Sequence, residues 1–166
     1  MKNKGFTLVE ILIVVVILGI LAAIVIPQFT DASTQSKVAS CLTTLKSLRS
    51  QIELYKIQHN DNPPAMATFA TFMENYSDVN STATSATKDP ANEIIYGPYV
   101  QDMPRNPWND SDTLAVADAI DVGWVYDELS GDIFIGIADL DPANVKENQV
   151  RQDLIDAGAA FVAPAA

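Results

Sequence analysis

Residues 5–28 read GFTLVEILIVVVILGILAAIVIPQ, and residues 11–26 within them carry neither a charge nor a hydrogen-bonding side chain. A helix of that length can cross a hydrocarbon core of about 30 Å. Lys2 and Lys4 precede it, which by the positive-inside bias keeps the N-terminus on the cytoplasmic side and exports the chain beyond Ile26. A cleaved secretory signal needs a shorter apolar core and a small-x-small site at its end, whereas Ala22 and Ala23 lead into further apolar chain. A plain anchor accounts for the length and the lysines but leaves Glu10 unexplained. A carboxylate at a membrane-helix centre costs about 2.5–3.5 kcal/mol, less near the interface, so an acid inside such a block points to a functional site with a cationic partner.

The run Lys4-Gly5-Phe6-Thr7-Leu8-Val9-Glu10 resembles the processing motif of type IV pilins and type II secretion pseudopilins. The resemblance implies that a prepilin peptidase cuts after Gly5 and that the new N-terminal Phe6 is methylated. It also implies that Glu10 pairs with the α-amine of a neighbouring subunit's Phe6 during assembly, each charge neutralising the other where water is scarce. The implied fold is α+β and type IV pilin-like: a long N-terminal helix, membrane-spanning in its first half, packed on a small antiparallel β-sheet. The close match covers residues 5–28; beyond it the likeness is one of organisation.

Downstream, Val38, Leu42, Leu45, Leu48, Ile52 and Tyr55 recur every three or four residues and predict one apolar stripe on a continuing helix. Asp61-Asn62-Pro63-Pro64 ends it. Within the helix, Gly19 has low propensity and Pro27 removes a backbone donor, so a kink or melted stretch between them is expected. The resemblance adds that this stretch extends in a filament. The chain then divides into a leader (1–5), a transmembrane or filament-core helix (6–28), an amphipathic continuation (29–60) and a soluble part (61–166).

In that soluble part, Phe69, Phe72, Met73 and Tyr76 predict a short helix behind prolines, and the Ser/Thr-rich window 77–89 an exposed loop. Residues 94–100 predict short strands and turns. Residues 123–127 and 132–137, flanking Glu128-Leu129-Ser130-Gly131, predict a β-hairpin covering the stripe. Gly97-Pro98-Tyr99, Asn106-Pro107-Trp108 and Gly123-Trp124-Val125-Tyr126 are similar to the C-terminal half of the major pseudopilins. Asp141-Pro142 marks the N-cap of a last helix ending at Gly158.

Charge divides the 166 residues unevenly: residues 1–56 hold six Lys/Arg against three acids, the remainder four against eighteen, for a net −11. The acidic part lacks the basic footprint that nucleic-acid binding needs. One cysteine, Cys41, and one histidine, His59, exclude an intrachain disulfide and a zinc cluster. Cys41 suits packing and His59 a surface or capping role at the helix end. No Ser-His-Asp order, HExxH, GxSxG or phosphate loop is present, and nothing selects a catalytic pair from the many acids, so no enzyme is expected. Asp110, Asp112, Asp118 and Asp121 are candidate oxygen ligands for Ca²⁺. The resemblance raises that expectation, since major pseudopilins bind calcium in the loop before their final hairpin.

These observations describe an exported, membrane-anchored structural subunit. Its expected partners are further copies of itself, the peptidase and methylase, membrane assembly machinery, minor pilins or pseudopilins, and lipid. A secretion pseudopilus is the first expectation, in the periplasm; a surface pilus for adhesion, motility or DNA uptake and a monomeric anchored binding module are the alternatives.

Overall fold

The computed structural model describes residues 7–160. Helix α1, Leu8–Gln58, passes through two compact units that divide after Lys37, and each is taken by itself. The first carries the apolar block, Leu8–Ile26, which is long and apolar enough to cross a membrane. Its Ile and Val residues are indifferent helix formers in water, but in lipid a helix satisfies every backbone group within the segment. The helix is unbroken at Gly19 and Pro27, so the melted stretch expected there is absent from the single chain. Proline costs the helix one donor in one turn, and the unbroken turns on either side keep theirs.

In the second unit, α1 buries Cys41, Leu45, Leu48, Ile52, Tyr55 and His59, alternating steps of four and three residues. The stripe is thus shifted slightly from the predicted one: Cys41 replaces Leu42 in the core, and Val38 and Leu42 are only partly buried. Asn60 and Asp61 adopt left-handed backbone conformations beyond the helix, ahead of Pro63 and Pro64.

Against this stripe packs a hairpin of β4 (Trp124–Asp127) and β5 (Asp132–Ile135), antiparallel with Asp127 opposite Asp132. Gly131, at φ +81°, closes its four-residue turn, where the Asp127 carboxylate accepts from the Leu129 amide and the Ser130 hydroxyl. Trp124, Tyr126, Ile133 and Ile135 are fully buried. The polar ends of the two aromatics are satisfied, Trp124 Nε1 donating to Pro104 O (2.7 Å) and Tyr126 OH to Pro64 O (2.8 Å). The two-residue β3 (Leu114–Ala115) lies parallel to β4.

The short helix α2 (Phe69–Glu74), preceded by a 3₁₀ turn at Met66–Thr68, buries Phe69, Phe72 and Met73. Tyr76, predicted on that helix, belongs instead to β1 (Tyr76–Ser77), which pairs with β2 (Thr84–Ser85). The Ser/Thr-rich window is therefore a pinned turn as much as a loop. Asp78 accepts from the amides of Asn80, Thr82 and Ala83 and from the Thr82 hydroxyl. Residues 94–100 form isolated bridges, at Ile94 and Tyr96, and no full strand.

The last helix, α3 (Val145–Asp156), is capped by Asn144 and not by Asp141. Glu147, three residues beyond Asn144, accepts from the Asn144 side chain and from the Asp141 amide, a reciprocal cap that starts the helix later than the Asp-Pro pair predicts. Gly158, at φ +63°, ends the segment. Arg49 on α1 ties these layers together by donating to Ile133 O (3.1 and 3.0 Å) and Gly158 O (2.9 Å).

Candidate functional site

At the start of α1, Thr7 and Glu10 form a reciprocal cap. Glu10 Oε2 accepts from the Thr7 amide (2.8 Å) and the Thr7 hydroxyl (2.7 Å), and the Glu10 amide donates to Thr7 Oγ1 (3.3 Å). The sequence pattern for this is Thr-x-x-Glu directly before an apolar run, a signal present in residues 7–10 that the expectation of an external cation passes over. It gives the carboxylate a task within its own chain. The first amides of a helix have no intrahelical acceptor, and in an apolar medium each such orphan costs several kcal/mol. Glu10 thus removes part of the cost of burying the helix end while keeping its charge beside the N-terminal amides. Gly5 and Phe6, the expected processing pair, lie outside the described residues.

From Leu8 to Ile26 the side chains point outward, Leu8, Leu12, Val15, Leu18 and Ile20 each more than half exposed. A stripe serves one partner; an all-round apolar surface suits lipid or a bundle of helices on every side. Gly19 has no atom within 4 Å of where a Cβ would stand, so nothing in the single chain requires a glycine there.

In the second unit, the four aspartates proposed for calcium do not converge. Asp110 and Asp112 both face Arg105, at 3.1 and 3.8 Å. Asp118 turns away and accepts from the amides of Ile137 (3.1 Å) and Ala138 (3.2 Å). Burial pushes its carboxyl above the ordinary range, against the pull of those two amides and of Arg151. Asp121 enters the arrangement through its backbone amide, which donates to Asp139 (3.2 Å). Among the described residues no three His, Cys, Asp or Glu side chains gather in a way that could hold a metal. The residues as placed do not fit a calcium cage, which needs about six to eight converging oxygens.

Two buried polar residues hold this domain together. Asn106, fully buried, donates through Nδ2 to Gly123 O (3.0 Å) and Gly136 O (2.9 Å) and accepts at Oδ1 from the Trp108 amide (3.0 Å) and the Cys41 thiol (3.7 Å). His59 is buried, not at the surface as its place at the helix end suggests. Its Nδ1 bonds Tyr55 O (2.8 Å), its Nε2 bonds the Ser77 hydroxyl (2.9 Å), and its ring stacks on Tyr55 at 3.8 Å. Because the carbonyl can only accept, Nδ1 carries the proton and Nε2 accepts from Ser77. Burial lowers the His59 pKa, partly offset by the Tyr55 carbonyl and by the Asp78 charge.

A capped, all-round apolar helix joined in one chain to a small α+β domain defines a membrane-anchored subunit suited to associating through its helix. Known proteins agree with that class. Residues 1–26 match the prokaryotic N-terminal methylation motif. The type II secretion system core protein G of Pseudomonas aeruginosa is 31% identical over 107 residues, covering 64% of this chain and 69% of that protein. Its counterpart in Pectobacterium carotovorum is 28% identical, covering 64% of this chain and 63% of that one. The type IV narrow pilus major component of Thermus thermophilus is 40% identical over 86 residues, 52% of this chain and 73% of the relative. The chain therefore spans 63 to 73% of the length of these relatives. No solved structure matches it at a significant level. The chain belongs to the family of type IV pilins and type II secretion pseudopilins.

Proposed function

We propose that the chain is the structural subunit of a pilus-like filament, first of all a type II secretion pseudopilus. The observation that carries this is the charge economy of the helix: Glu10 is the only ionisable residue in Leu8–Ile26, in a helix that exposes apolar side chains all round. In the membrane the Thr7 cap and lipid satisfy the two parts separately. In a filament other copies replace the lipid, and the Phe6 ammonium of a neighbour meets the Glu10 carboxylate, so that assembly adds a charge pair where the membrane offered none. A peptidase cutting after Gly5 supplies that ammonium, the N-terminus faces the cytoplasm, and the acidic domain is exported. Energy for extraction comes from separate machinery.

The test is Glu10→Ala. Membrane insertion should be retained while filament yield collapses, and Glu10→Gln, which can still accept from Thr7, should share the assembly defect. Normal polymerisation of Glu10→Gln would refute the charge pair. Loss of insertion would instead assign the acid to anchoring alone. A surface pilus is the second reading, favoured by the 40% identity to a pilus component. Long filaments sheared from cells would select it, retention of secreted proteins on deletion would select the pseudopilus, and a purely monomeric state would reject both.

A further inference from the structure

We infer that Arg105 is the resident cation of the acidic loop before the β4–β5 hairpin, so that this loop is held closed without calcium. The inference is independent of the polymerisation reading. It starts from the partners of the loop aspartates: the carboxylates of Asp110, Asp112 and Asp118 face donors of the chain itself, and Asp121 takes part through its backbone. The Arg105 guanidinium donates through one nitrogen to both the carbonyl (3.0 Å) and the carboxylate (3.1 Å) of Asp110, and its Nε stands 3.8 Å from Asp112. It thereby joins a backbone oxygen and two carboxylates, the oxygen types a divalent ion would collect, and its planar fork fixes their directions. Asp118 is spent on the amides of Ile137 and Ala138. Asp139 accepts from Asn109 Nδ2 (2.6 Å) and from the Asp121 amide.

Geometry within the loop is set by the same donors. Asp110 and Asp121 sit at φ +55° and +64°, in the left-handed region that aspartate enters more readily than most non-glycine residues. The Asp110 amide donates to Asn106 O, and the Ser111 hydroxyl to Asp121 O. A calcium ion taking Asp110 and Asp112 would have to displace Arg105, and one taking Asp118 would strip two backbone amides of their acceptor. Both exchanges work against binding.

The experiment uses the full chain in detergent micelles. Melting is monitored by near-ultraviolet circular dichroism in chelator, in millimolar calcium and in millimolar magnesium, for the parent, Arg105→Gln and Arg105→Lys. The parent should melt at one temperature in all three buffers. Arg105→Gln, an exposed and therefore tolerated change, should lower it by about 2–4 °C, with faster hydrogen exchange at the Asp110 and Ser111 amides and partial recovery in calcium. Arg105→Lys should lie between the two. A parent that loses stability in chelator, or gains more from calcium than from magnesium, would overturn the inference, and so would an Arg105→Gln protein indistinguishable from the parent. Arg105→Lys behaving like the parent would place the effect in the charge alone and not in the fork, which also overturns it.

Discussion

Replacing Asn106 with alanine should destabilise the domain more than any other change of one polar side chain. The amide is fully buried, and its Nδ2 bridges Gly123 O and Gly136 O, one residue at each strand-side edge of the hairpin. Gly123 O keeps a bond from the Gly136 amide (3.0 Å), so the loss falls on Gly136 O and on the Trp108 amide that Oδ1 accepts. A buried group deprived of its partner costs about 1–3 kcal/mol, which puts the pair at about 2–6 kcal/mol. Against a total stability of about 5–15 kcal/mol this is a large fraction, and at about 2–4 °C per kcal/mol it should lower the melting midpoint by about 4–24 °C. Urea denaturation of the full chain in detergent, read by far-ultraviolet circular dichroism, measures it. Asn106→Asp retains Oδ1 but turns an oxygen toward two carbonyls, so it should be at least as damaging as alanine. A loss below about 1 kcal/mol for Asn106→Ala, or an aspartate variant near the parent, would show that the loop is not held by this side chain.

Stability should depend on pH through His59. Its folded pKa lies below the ordinary 6.5, so the unfolded chain binds the extra proton first; the contribution is complete above about pH 6.5 and is lost as pH falls through the folded value. A His59→Gln protein should lack that slope in thermal melts between pH 6.5 and 5, and an unchanged slope would assign it elsewhere. Asp118, raised by burial, acts oppositely: the folded state holds its proton first as pH falls, so the parent gains stability toward acid pH and Asp118→Asn should cost less at neutral pH than at acid pH. Gly123→Ala should prevent native packing, because its Cβ would stand 2.1 Å from Ser111 O, and soluble, native-like circular dichroism would refute that. The exported chain should begin at Phe6, as intact mass will show; retention of Met1 or cleavage near Ala23 would contradict the processing reading.

Residues 8–26 were legible because membrane helices obey one dominant constraint, that backbone groups be satisfied within the segment. The hairpin was legible for a related reason, since Gly131 and the flanking β-formers specify a turn locally. What escaped was everything decided by distant partners. His59 is polar and terminal in sequence, yet Ser77, Tyr96 and Tyr99 surround it only once the chain has folded back. Cys41 takes the place expected of Leu42 in the stripe, where its thiol faces Asn106 Oδ1 from a residue 65 positions away. The aspartates looked like ligands because spacing shows which acids are near one another in sequence and not which donors claim them. Asp118 is claimed by amides 19 and 20 residues further on. Glu10 shows the reverse: its cap is local and could have been read from Thr7 alone.

The bonds from Arg49 to Ile133 O and Gly158 O join positions 84 and 109 residues apart. Chains are made from the N-terminus, so the apolar stripe of α1 exists long before anything can cover it. The Ile135 amide likewise waits for Ala159 O, at 2.7 Å in the finished fold. Until residue 158 is available, the hairpin can cover Leu45, Leu48 and Ile52 and offer Ile133 O to Arg49, but the guanidinium lacks Gly158 O and the last layer of the core is missing. A copy truncated before residue 158 should therefore be cut by protease more readily than a complete one. The same contact that stabilises the domain thus also separates complete subunits from truncated ones.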